Sequence, residues 1–137
     1  ISGVKRIYAI EANPFSFSVL SRNIIINSLS DKIIALCFPI SEFSSITNFN
    51  LSSTDAGTIG NEIAPKKTKS KTISVMAASF CLDELFRIQN INNVTHIKID
   101  VDGIEHIILM GLGDVLNLTK SVLIEIDEFG ILVSRQG

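Results

Sequence analysis

The sequence predicts an α/β fold: a mostly parallel sheet with flanking helices. Short apolar runs alternate along the chain with stretches whose apolar residues recur at helical spacing. That alternation marks strand–helix–strand units, whose crossovers make neighbouring strands parallel. Three of the runs end on acids (Glu11, the pair Asp100 and Asp102, and Glu125 with Asp127), and ligands of open α/β sheets bind beyond those strand ends. With 137 residues, 46% hydrophobic and 19% charged, the chain suits one domain with a buried core.

The first strand is read over Arg6–Ile10 and closes at Glu11. Asn13 followed by Pro14 starts a helix, a capping side chain before a residue with a preset φ and no N–H to lose. Phe17, Leu20 and Ile24 continue it to about Ser28. Asp31 opens a strand over Lys32–Cys37 that stops at Pro39. Beyond Ser41 the pattern dissolves into Ser, Thr, Asn, Gly and Lys. Residues 42–71 are therefore expected to form an insertion, either a hairpin or a mobile loop over a site. Its lysine run, Lys66–Lys71, reads as a solvated loop face rather than a phosphate reader. Thr72–Val75 is a short strand, Cys81–Phe86 one or two turns of helix, and Asn93–Asp100 the clearest strand. Ile104, Ile107, Ile108, Leu112 and Val115 follow at helical spacing, with Gly111 and Gly113 breaking that helix. Ser121–Ile126 is the last strand.

Composition excludes several classes of partner. A net charge of −2 argues against a nucleic-acid binder, which carries a basic surface. No membrane span is expected, because the longest apolar run, Ile33–Ile40, contains Pro39 and falls far short of about 18 residues. No signal-peptide pattern opens the chain. Cys37 and Cys81 lack metal-ligand spacing and read as buried free thiols in a reducing, cytoplasmic setting. His96 and His106 fall on different elements, and Asp100-Val-Asp-Gly lacks the glycine and glutamate positions of a calcium loop. No metal site is expected.

Two places carry candidate chemistry. Glu11 is either an acid for a nucleotide's ribose diol or an ordinary acid at a helix start. Lys98-Ile-Asp-Val-Asp-Gly-Ile-Glu105 is more informative. Alternation puts His96, Lys98 and Asp100 on one strand face. A lysine inside a central strand needs a partner, and Glu125 on the neighbouring strand is the expected one, in a buried ion pair. Asp100 and Asp102 reach the strand tip, and Gly103 lets the chain turn into the helix.

These residues resemble the FkbM family of S-adenosylmethionine-dependent methyltransferases. Tyr8-Ala-Ile-Glu-Ala-Asn-Pro14 looks like its second strand and ribose acid, Leu82-Asp-Glu-Leu85 like its short helix entry, and Val122-Leu-Ile-Glu-Ile126 like a following strand. Lys98–Glu105 matches its most specific motif, in which Asp102 is commonly Glu. The resemblance implies a class I methyltransferase (Rossmann-like) fold, with sheet order 3-2-1-4-5 and then an antiparallel pair. It implies methyl transfer from S-adenosyl-L-methionine to a hydroxyl of a small-molecule acceptor such as a sugar or polyketide. By the same resemblance Glu11 holds the ribose diol and Ser41 and Glu42 lie near the adenine. Asp100 and Asp102 line the transfer site as catalytic candidates, supported by Lys98, Gly103, Glu105 and Glu125.

The family's first strand, its Gly-rich loop and its last strands have no counterpart in these 137 residues. A partial domain truncated at both ends is therefore expected, with a gap between the second and fourth strands. Unpaired strand edges are costly, so these residues alone are expected to bind cofactor poorly. Two other readings stay open. One is a nicotinamide-dependent Rossmann enzyme, in which Glu11 serves a different ribose. The other is a non-catalytic domain that binds a partner through open sheet edges.

Overall fold

Ile7–Ile10 (β1) and Ile33–Leu36 (β2) pair in parallel, Ile7 opposite Ile33 and Ile10 opposite Leu36. Helix α1 (Pro14–Ile26) connects them, and a helical crossover is what parallel pairing requires. The computed structural model describes residues 3, 5–51, 62–63, 73–101, 103–125 and 131–134. The chain divides into two units, Ile1–Pro39 with Thr47–Ala78, and Ile40–Ile46 with Ser79–Gly137.

In the first unit, α1 begins as the sequence dictates. The Asn13 side chain accepts the Phe15 N–H at 2.9 Å, and Pro14 is the first helical residue. Ile24 is buried, with Phe17 and Leu20 half-buried on the same stripe. The helix ends where Ser28 turns left-handed, at φ 54. The N–H groups of Ser28 and Leu29 then reach the carbonyls of Ile25 and Ile24, satisfying groups the helix end would leave unpaired. Ser45–Leu51 (β3), which belongs to this unit from Thr47 onward, pairs antiparallel with Glu62–Ile63 (β4), Phe49 opposite Ile63. With Ile73–Ser79 (β5) these strands form a sheet in the order β4-β3-β5. The 42–71 segment thus contains a hairpin; its residues 52–61 and 64–71, including Lys66–Lys71, lie outside the described residues.

In the second unit, His96–Ile99 (β6) pairs parallel with Ser121–Ile124 (β7), and β7 pairs antiparallel with Ile131–Ser134 (β8). Ile99, Val122 and Ile124 point inward with Ile108, Leu112 and Val115. Leu82–Ile88 (α2) buries Leu82, Leu85 and Phe86. The expected long helix is broken into Glu105–Met110 (α3) and Val115–Leu118 (α4), with Gly111 and Gly113 in the interruption.

Several expectations change. The described strands form three small sheets of mixed direction rather than a mostly parallel one; a break between the second and fourth strands was expected. Among the described residues β1 is hydrogen-bonded only to β2, and β6 only to β7. Ser121–Ile124 is not the last strand, since β8 follows it. The short strand expected over Thr72–Val75 instead covers Ile73–Ser79, with Thr72 outside the described residues; Ala77, Ala78 and Ser79 carry little β preference of their own. It is held there by pairing with β3, and the Ser45 and Ser79 hydroxyls stand 3.1 Å apart. Cys37 is exposed because it lies just past the end of β2, and Cys81 is only half-buried.

Candidate functional site: strand-end acids and the Ser41–Glu42 turn

The first unit presents Glu11 immediately after β1. Its backbone N–H continues the ladder to the Leu36 carbonyl at 3.0 Å, so the position is fixed by the sheet. One carboxylate oxygen accepts the Asn13 N–H at 2.8 Å. The other has no partner among the described residues. Glu11 also acts on the end of β2: the Cys37 thiol is pushed above its usual value, first by partial burial and then by the Glu11 carboxylate. Asn13 is 1% exposed. Its oxygen caps α1, whereas its Nδ2 is buried with no hydrogen-bond partner among the described residues, a situation that costs about 1–3 kcal/mol. The sequence marks Asn13 as a cap. Its second task, holding Glu11 two residues earlier through the backbone, was readable only from their spacing around a strand end.

The second unit places Lys98 and Asp100 on the same exposed face of β6, as alternation requires. Lys98 Nζ donates to Asp100 Oδ2 at 2.5 Å and stands 3.8 Å from Glu125 Oε2. The expected Lys98–Glu125 pair is therefore present, but exposed rather than buried. Lys98 is 56% exposed, and its close partner is Asp100 on its own strand. No helix covers this face among the described residues, so the long side chain stays in solvent and takes the nearer carboxylate. The Lys98 hydrogen bond holds the Asp100 carboxyl below the usual carboxylate value, and the same bond raises the Lys98 ammonium. Further down this face, His96 Nδ1 and the Ser121 hydroxyl lie 2.7 Å apart.

The turn after β6 needs its glycine. Gly103 sits at φ +88, a conformation that a side chain would strain. Its N–H reaches Glu105 Oε1 at 3.1 Å, so Glu105 braces the turn from the first residue of α3. Glu125 continues the β6–β7 ladder, its N–H donating to the Ile99 carbonyl at 3.0 Å. Asp102 and Asp127 lie outside the described residues.

Ser41 and Glu42, also in the second unit, follow a single bridge between Ile40 and Phe80. Ser41 is buried. Its N–H donates to the Phe80 carbonyl at 3.0 Å and its hydroxyl to the Phe43 carbonyl at 2.5 Å. Both of its donors are thus occupied within the protein. Glu42 is half-buried, and its carboxylate has no partner among the described residues.

No group of three or more His, Cys, Asp or Glu among the described residues is placed to hold a metal ion. No helix among them is long and apolar enough to cross a membrane. A family model described as a methyltransferase FkbM domain matches residues 2–131. No curated protein and no solved structure matches the chain.

Proposed function

The chain belongs to the FkbM methyltransferase family, and from that premise we propose that it methylates a hydroxyl oxygen of a small molecule, such as a sugar or polyketide, using S-adenosyl-L-methionine. The observation that carries the cofactor reading is Glu11. One of its oxygens is pinned by the Asn13 N–H, which leaves the other oriented and open to a donor such as a ribose hydroxyl. A strand-end carboxylate in this state fits a cis-diol, because each diol hydroxyl brings a proton to donate. In the Ser41–Glu42 turn, the Ser41 hydroxyl is already engaged, so the Glu42 carboxylate is the group free to meet the base.

Bound S-adenosyl-L-methionine supplies a methyl carbon on a positively charged sulfur, already activated for displacement. What remains for the protein is alignment of the acceptor and removal of its proton. Asp100 takes the acceptor's hydroxyl proton in this reading, with Asp102 as the second candidate. Lys98 keeps Asp100 ionised across the neutral range and fixes its orientation. It also makes Asp100 a weaker base than a free carboxylate, so alignment carries much of the rate. Gly103 and Glu105 shape the turn that follows these acids.

The test is transfer of a radiolabelled methyl group by the full-length protein to a panel of sugars and hydroxylated small molecules. The reading expects label in an ether linkage on an acceptor oxygen. Label found only on nitrogen or carbon, or no transfer from this donor, overturns it.

A further inference from the structure

Gly111 closes α3, and its backbone is ordinary there, φ −80 and ψ 0. Conformational freedom does not explain a glycine at this position; proximity does. A Cβ built on Gly111 would lie 2.6 Å from the Ser41 carbonyl oxygen and 3.4 Å from both the Glu42 Cα and the Cys81 Cβ. The first contact is a clash with backbone, which no side-chain rotation relieves. The Gly111 carbonyl meanwhile accepts the Asp83 N–H at 3.1 Å, so the glycine is tied to the start of α2 and cannot simply retreat. Ser41 is held just as firmly on its other sides, through Phe80 and Phe43.

We propose that Gly111 is a positioning residue for the base-reading turn: by lacking a Cβ it lets Ser41 and Glu42 seat against the end of α3, which aims the Glu42 carboxylate at the exocyclic amine of the cofactor's adenine. The inference rests on the reading of Ser41–Glu42 as the base side of the cofactor site. A methyl group at position 111 pushes the Ser41 carbonyl outward and carries the adjoining Glu42 Cα with it. A carboxylate accepts from the amine of adenine and is repelled by the carbonyl that replaces it in hypoxanthine. The position of Glu42 is therefore read out as base selectivity, which a loss of general stability does not alter in the folded fraction.

Gly113 supplies the control. It is left-handed at φ +48, so Gly113→Ala strains the same helix break, yet its neighbour is the Asp83 side chain and not the Ser41 turn. The experiment measures affinities of full-length protein for S-adenosylhomocysteine and S-inosylhomocysteine by calorimetry. Wild type and Gly113→Ala are expected to prefer the adenine form by about tenfold or more, whereas Gly111→Ala falls to within about twofold. A folded Gly111→Ala that keeps the full preference overturns the proposal. Wild type that binds neither compound overturns the base-site reading itself, and the proposal with it. If Gly111→Ala does not fold, amide shifts of the wild type decide. Gly111 is expected to move on titration with S-adenosylhomocysteine and to stay still with the inosine form; identical responses to both overturn the proposal.

Discussion

Lys98 donates to Asp100 at 2.5 Å from two residues earlier on the same strand face, and this local pair, rather than a cross-strand one, governs the charge at the tip of β6. The bond lowers the Asp100 value below its ordinary 3.8 and raises Lys98 above 10.5. The Asp100 contribution to stability is present above 3.8 and is lost as pH falls through the lower folded value. The Lys98 contribution is present below 10.5 and is lost as pH rises through the higher folded value. Between those limits it is flat, and it is small because both side chains are more than half exposed.

Lys98→Ala is accordingly expected to raise the Asp100 titration midpoint toward 3.8, measured by NMR of the carboxyl carbon. The acid limb of the methylation pH profile moves up with it if Asp100 is the base, and Asp100→Asn then loses about a hundredfold or more in kcat. An Asp100 midpoint indifferent to Lys98 contradicts the pairing. An acid limb that stays put while the midpoint moves removes Asp100 as base.

Ser28 adopts φ 54 at the end of α1 with no glycine's freedom to do so. Ser28→Gly is expected to stabilise the protein by roughly 0.5–1 kcal/mol, the relieved left-handed strain less the added entropy of the unfolded chain. Ser28→Val, branched at Cβ, lowers the melting temperature. Equal melting temperatures for all three contradict this account of the helix end.

That helix end also shows what the sequence did and did not disclose. The start of α1 was legible because Asn13 and Pro14 have few other uses side by side. Its end was set only approximately, since Ser28 and, after α2, Asn90 at φ 53 do the work usually advertised by glycine. The alternation that puts Lys98 and Ile99 on opposite faces was likewise readable; the exposure of the Lys98 face was not. Glu125 was legible as a partner of Lys98 across the strands and stands 3.8 Å away; the closer Asp100 was not, because that choice depends on what covers the face. The parallel pairs β1–β2 and β6–β7 were anticipated from strand–helix alternation. The break between these pairs was expected from the sheet order that the resemblance implies, not from local pattern. Gly111 was legible as a helix breaker, but not as a close contact of Ser41, because that approach joins distant parts of the chain.

Asn13 separates two effects at one buried position. Asn13→Ala removes the acceptor that caps Phe15, whereas Asn13→Ser keeps an acceptor and discards the unpaired Nδ2. The serine variant is expected to be more stable than the alanine variant by about 1 kcal/mol in denaturant unfolding. Indistinguishable variants would mean that the cap contributes nothing.

The most direct test of the central claim is calorimetric titration of S-adenosyl-L-methionine into full-length wild-type protein and Glu11→Gln. Glutamine keeps an acceptor for the Asn13 N–H but gives up the charge that strengthens a bond to a ribose hydroxyl, a difference of about 1.5 kcal/mol. The account predicts affinity roughly tenfold weaker in Glu11→Gln. Equal affinity in the two proteins would contradict it.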